Sequence, residues 1–159
     1  SANFHVYNNL VIGAGVQNRD GSHRIIENNI FVNPNRGLGY HVGYIHSGDQ
    51  FVRNIVVKEG SDPIFWILLQ TDDAPWIDQL DYNLYHSAAP FSSAAKNLNE
   101  WQQLGFGAHS VIADPLFVDP ENGDYHVRPE SPVLKLGFKN FDLTEVGLLP
   151  DFPDKWPRQ

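Results

Sequence analysis

Four short runs along the chain share one pattern, apolar residues on either side of a polar Asn. They are HVYNNLVIG (5–13), RIIENNIFVN (24–33), FVRNIVV (51–57) and LDYNLYH (80–86). Aligned on Asn9, Asn29, Asn54 and Asn83, they recur at spacings of 20, 25 and 29 residues. Self-similarity on this scale, carried by short strands, is the mark of a solenoid, with insertions lengthening successive repeats. Asn tolerates left-handed backbone and hydrogen-bonds through its side chain at a bend. Stacked at the ~4.8 Å strand spacing, one such Asn per coil would let the amides pair along the axis. Residues 39–46 and 64–70 supply further strands, and two or three strands per coil are what a parallel β-helix requires. An antiparallel sandwich also explains short strands at regular spacing, but not the recurring Asn.

The texture changes after residue 90. SSAAKNLNEWQQLG (92–105) carries Ser and Asn cap residues, good helix formers and a closing Gly. It predicts one short helix near 96–104, packed on the side of the solenoid. The stretch ADPLFVDPENGDYHVRPESP (113–132) then reads as a terminator. Leu116–Val118 is expected to continue the solenoid and Asp119–Asp124 to turn. Tyr125–Val127 returns, and Pro129 and Pro132 end strand pairing. The chain is thus expected to form one domain over 1–159. It has coils in 1–91, a helical excursion in 92–107, a terminal coil or cap in 108–139 and a tail in 140–159.

Composition agrees with a folded, turn-rich chain: 42% hydrophobic, 19% charged, 13 Gly and 11 Pro. A formal charge of −8 argues against nucleic acid and against an anionic membrane surface. There is no Cys, hence neither a disulfide framework nor thiolate chemistry. The longest apolar run, Ile64–Leu69, is too short to span a bilayer. No Met occurs anywhere, and the chain reads as a fragment of a longer protein.

The Asn-centred coils, followed by EWQQLGFGAHSVIADPLFVDPENGDYHVRPESPVLKLGFKNFDLTEVGL, resemble the C-terminal part of bacterial right-handed parallel β-helix proteins of the pectin lyase-like superfamily. Many of those are labelled glycoside hydrolases. The resemblance implies an all-β fold, a right-handed parallel β-helix of four to five coils. It also implies a polysaccharide-processing role and a secreted or periplasmic location, with part of the active site expected upstream of Ser1.

Glycoside hydrolysis uses two carboxylates ~5 Å or ~6.5–9.5 Å apart, and stacked coils can provide such distances. Asp72, Asp73 and Asp49 are the catalytic candidates, with His46 as an assisting group; Asp20 occupies a comparable variable segment. His41 and His46 are five apart, which sends them to opposite faces of a regular strand and argues against a paired metal site. Trp76, Tyr44 and Tyr40 are candidate sugar-stacking residues, whereas Trp66, inside IFWILLQ, reads as core. No resident cofactor is expected. Asp72, Asp73, Asp78 and Asp81 could attract calcium, and DPENGD is oxygen-rich, but neither matches an EF-hand. No zinc, phosphate-loop or serine-hydrolase motif is present. The expected partner is a polysaccharide or oligosaccharide, with self-association through the open N-terminal end of the solenoid as a further expectation. A calcium-assisted polysaccharide lyase and a non-catalytic carbohydrate-binding solenoid are the competing readings.

Overall fold

Each Asn-centred run folds into two short strands with a corner between them. A computed structural model describes residues 3–19, 21–35, 38–42, 48–69 and 77–143. The first coil comprises β1 (His5–Tyr7), β2 (Leu10–Ile12) and β3 (Gln17–Asn18). The second holds β4 (Ile25–Glu27), β5 (Ile30–Val32) and β6 (Leu38–Val42), and the third β7 (Gln50–Val52), β8 (Ile55–Lys58) and β9 (Phe65–Leu69). A partial fourth contributes β10 (Gln79–Asp81) and β11 (Leu84–Ser87), followed by β12 (Val111–Ile112). Strands stack into three sheets, ordered β1-β4-β7-β10, β12-β11-β8-β5-β2 and β3-β6-β9. All of these pairings are parallel. The register pairs Leu10 with Ile30, Ile30 with Ile55 and Ile55 with Leu84, the same offsets that separate the four Asn residues. The chain is therefore a parallel β-helix and not a sandwich. The described residues form three complete coils and part of a fourth, slightly fewer than the expected four to five.

The corner between the first and second sheets is built identically in every coil. Asn8, Asn28, Arg53 and Tyr82 all have φ between 55° and 58°. The left-handed position is thus the residue before each ladder Asn, where the sequence reading had put it on the Asn itself. Only two of the four are Asn, because ladder bonding holds the bend wherever the side chain does not favour it. Asn9 Nδ2 donates to Asn29 Oδ1 at 2.9 Å, Asn29 Nδ2 to Asn54 Oδ1 at 3.1 Å and Asn54 Nδ2 to Asn83 Oδ1 at 3.2 Å. The same oxygens accept the backbone N–H of the preceding ladder Asn, and Asn83 N–H ends the column on Ser110 Oγ. Asn54 Nδ2 also donates to the Ile26 carbonyl, so all four of its hydrogen-bonding positions are filled.

Inside the coils runs an aromatic column. Phe31 stacks on Phe51, Phe51 meets Phe65 edge-on, and Phe65 stacks on Trp101 with centroids 5.3 Å apart. Trp101 belongs to α1 (Leu98–Gln103), whose start is capped by Asn97 Oδ1 accepting Glu100 N–H. Trp101 is 1% exposed and also packs on Phe91 and Phe106. The helix therefore closes the C-terminal end of the core and does not lie on its flank. Residues 90 and 91 prepare this lid, their carbonyls accepting from Ile64 and Phe65 where another strand would otherwise stack.

The stretch from 113 onward leaves the solenoid. β13 (Phe117–Asp119) and β14 (Asp124–Val127) pair only with each other, antiparallel, and a 3-10 turn follows at Pro132–Leu136. Leu116–Val118 does not continue a coil as the sequence suggested. Asp114 Oδ1 accepts Leu116 N–H, and Leu116 itself adopts φ 56°, a bend that throws the chain outward. The hairpin and turn then form a strap over the outer face of the second sheet. Val127, Val133 and Phe138 cover the register-aligned row Ile30, Ile55 and Leu84. Lys139 fastens the strap to the second coil, its backbone N–H and carbonyl both bonded to the Asn28 amide at 2.7 and 2.8 Å.

Replacing Asn54 with Ala strands a buried backbone N–H, a carbonyl and two amide groups, each costing ~1–3 kcal/mol when left unpaired. Asn54→Ala is expected to lose about 4 kcal/mol of stability by urea denaturation, and Asn9→Ala, at the exposed end of the column, only about 1 kcal/mol. Equal losses at the two positions would refute a continuous ladder.

Candidate functional site

Of the sequence-nominated residues, Asp72, Asp73, His46, Trp76, Tyr44 and Asp20 lie outside the described residues. The structure describes Asp49, Tyr40 and Trp66, and all three stand differently from expectation.

Asp49 is 1% exposed. It follows Gly48, whose φ of 69° makes the corner between the third and first sheets; a Cβ there would sit 2.7 Å from the His23 ring. The carboxylate faces Arg24, one coil earlier, and accepts from its backbone N–H at 2.9 Å and from Nε at 3.0 and 3.1 Å. Nη2 completes the pair, and Nη1 donates to the Arg19 carbonyl. Both side chains are almost wholly enclosed, at 3% and 1% exposure. A carboxylate so committed has no face open to a polymer, which removes Asp49 as acid or base. Tyr40, 1% exposed, points into the coil. Burial first, then the negative charge of Asp49, push its phenol far above the ordinary range. It is a core residue without a surface for a sugar.

Trp66 shows the reverse. In β9, Phe65 faces the core while Trp66 and Leu68 are 53% and 46% exposed. The continuous apolar run conceals this, because periodicity cannot tell which alternate positions face inward when both are apolar. On the third sheet Gln17, Gly39 and Trp66 are successive register partners on its outer face. Gly39 supplies a side-chain-free step: a Cβ there would meet Gln17 Cγ at 3.4 Å and Trp66 Cε3 at 3.6 Å. Around the indole lie two adjoining hollows of about 150 and 500 Å³, sharing Gln17, Arg19 and Trp66. Asn35, Asp62 and Pro63 complete the larger one. The side chains of Gln17, Arg19, Asn35 and Asp62 line the larger hollow and make no hydrogen bond with another described residue. Asn35, Asp62 and Pro63 carry no motif and could not have been found from sequence. For Trp66 the discriminating feature is its register partner Gly39, which only the folded sheet reveals.

A second ordered cluster sits at the last corner. Asp81 Oδ2 lies 2.7 Å from His109 Nδ1, and Asp81 Oδ1 accepts the backbone N–H groups of His109 and Tyr82. The His109 ring stacks on Tyr82 at 4.7 Å. Burial pushes the Asp81 carboxyl up, but the His109 ring, these two backbone N–H groups and the His109 charge outweigh it and hold the group below its ordinary value. Asp81, once weighed as a calcium ligand, is thus engaged by His109, and Asp78 Oδ1 accepts Gly48 N–H. DPENGD is the β13–β14 turn, where Asp119 Oδ2 accepts Asn122 Nδ2 and Gly123 is left-handed. Among the described residues no group of three or more His, Cys, Asp or Glu side chains is placed to hold a metal ion. Nor is any described helix long and apolar enough to cross a membrane.

The class that these features define is the parallel β-solenoid with a capped core, a strapped flank and an aromatic groove on its third sheet. Comparison with known proteins finds no matching family model, no matching curated protein and no matching solved structure.

Removing one partner of a buried ion pair leaves an uncompensated charge, at a cost of ~3–5 kcal/mol. Asp49→Ala is therefore expected to destabilise by that amount in urea, and the double change Arg24→Met, Asp49→Leu by much less; equal losses would count against the pairing. Because the folded Asp81 carboxyl titrates below its unfolded value, its contribution is complete above the unfolded value and is lost as pH falls through the folded one. In His109→Ala the Asp81 midpoint followed by carboxyl NMR should move upward, and an unchanged midpoint would show that His109 does not hold it down.

Proposed function

We propose that this chain is a carbohydrate-active solenoid that seats a polysaccharide on the outer face of its third sheet, with Trp66 as the stacking platform. One observation carries the reading: a half-exposed indole on a rigid strand, beside the open step of Gly39, ringed by polar side chains that make no hydrogen bond with another described residue. A sugar ring has an apolar face that packs on an aromatic ring and a hydroxyl rim that needs donors and acceptors. Gln17 and Asn35 offer amides, Arg19 offers donors and Asp62 accepts. Because these groups sit on or beside strands held in register, little ordering has to accompany binding. Placement outside the cytoplasm, where polysaccharides are met, goes with this proposal.

Hydrolysis of the bound glycan is the second reading. It draws on Asp62, the one carboxylate lining the groove among the described residues, and on Asp72 and Asp73, which follow β9 in the chain. Two carboxylates are what glycosidic cleavage requires, one to protonate the leaving oxygen and one to act as base or nucleophile.

Affinity electrophoresis against a panel of plant and microbial polysaccharides tests the first reading. Trp66→Ala is expected to weaken retention about tenfold or more, the scale of a lost aromatic contact, while the unfolding midpoint stays near that of the wild type. Undiminished binding by the variant would sink the platform. Release of reducing ends by the wild type, abolished in Asp62→Asn with retention kept, would establish hydrolysis. Retention without release would leave a binding solenoid.

A further inference from the structure

We infer that the hollow between the first corner and the C-terminal strap is a second saccharide site, selective for sugars that carry an anionic group. It rests on the carbohydrate reading above but uses other residues on another part of the surface.

The hollow measures about 490 Å³ and is lined by Tyr7, Asn8, Glu27, Asn28, Arg53 and Lys139, among others. The fold assembles it from distant segments. Tyr7 and Glu27 are register partners on β1 and β4, and Asn8, Asn28 and Arg53 are successive left-handed corner residues. Lys139 arrives on the strap, held by its two backbone bonds to the Asn28 amide. Gly137, at φ 92°, lets the Arg53 side chain lie close; a Cβ there would be 3.2 Å from Arg53 Nε.

Which groups are already engaged decides the ligand chemistry. The Asn28 amide is spent on Lys139 and Asn8. Glu27 is held on both oxygens, by His5 Nε2 at 3.0 Å and Arg53 Nη1 at 3.1 Å. What remains free is a set of donors: Asn8 Nδ2, the other N–H groups of Arg53 and the Lys139 ammonium, which have no hydrogen bond within the described chain. Arg53 balances Glu27, so Lys139 leaves a local positive charge on a chain of net charge −8. Donors around a positive centre select an acceptor-rich anion, and such charge-assisted bonds are the stronger kind. The Tyr7 ring lines the hollow and is 55% exposed although it packs on the His5 ring at 4.6 Å, so it still has aromatic surface on which a sugar ring can pack. Carboxylated and sulfated sugars share this chemistry.

Titration of the full chain with three length-matched oligosaccharides, one uncharged, one carboxylated and one sulfated, followed by backbone amide NMR, tests the inference. At least one anionic probe should shift the amides of Tyr7, Asn8 and Lys139, and whichever does so names the anion. Lys139→Ala, which keeps the backbone bonds to Asn28, and Tyr7→Ala should each weaken that probe about tenfold, whereas Trp66→Ala should leave it within about twofold. Anionic probes that perturb only the Trp66 groove, or that bind both variants as they bind the wild type, would overturn the second site. An uncharged probe bound through Trp66 with no response to either anion would overturn this inference alone, and failure of every saccharide would overturn both readings.

Discussion

Coil-to-coil hydrogen bonding through a column of buried side-chain amides is the constraint on which the other features depend. Asn29, Asn54 and Asn83 are wholly enclosed, and each accepts from the ladder Asn one coil earlier through two donors. An amide has two donors and an oxygen that accepts twice, enough to bond in both directions along a parallel stack, whereas a hydroxyl has a single donor and a carboxylate none. The column sets register in two sheets at once, because it stands at the corner between them. With register set, Phe31, Phe51 and Tyr85 are directed into the coil, and the alternate positions outward. Loops between the corners are then free to lengthen, as the widening repeat spacing shows.

Ends and flanks need separate solutions. Trp101 closes the C-terminal end of the aromatic column, so the last coil buries its inner face without a further strand. The second sheet carries aliphatic residues on its outer face as well, and the strap covers them with Val127, Val133 and Phe138. The third sheet has no such cover among the described residues, and Trp66 and Leu68 are left on its surface. That asymmetry among the described residues, one outer face covered by the strap and one carrying an exposed indole, is what the proposal of ligand binding at the third sheet rests on. The buried Arg24–Asp49 pair serves a different purpose, joining two coils at the opposite corner where an uncharged pair would pack as well.

Much of the architecture was legible in the sequence. The spacing of Asn9, Asn29, Asn54 and Asn83 predicted the parallel register residue for residue, and the pairing of their amides along the axis followed from strand spacing alone. The short helix was visible in its cap and its apolar positions. The candidate site was far less legible. Asp49 and Tyr40 lie in polar or alternating stretches that look exposed, yet Asp49 meets Arg24 from another coil and Tyr40 is turned into the hydrophobic core. Trp66 lies in a wholly apolar stretch that looks buried, yet its neighbour across the sheet is Gly39 and its own side faces solvent.

The sequence by itself determined the repeat, the strand pairing and the fold class, because these depend on local periodicity and on one residue type recurring at a corner. Only the tertiary structure decided which face of each strand is covered, where the helix and the strap come to rest, and which polar groups are spent on one another. Those outcomes depend on contacts between residues such as Asn28 and Lys139, 111 positions apart. No local pattern encodes such a contact, since its free energy exists only once the coils between the two have stacked.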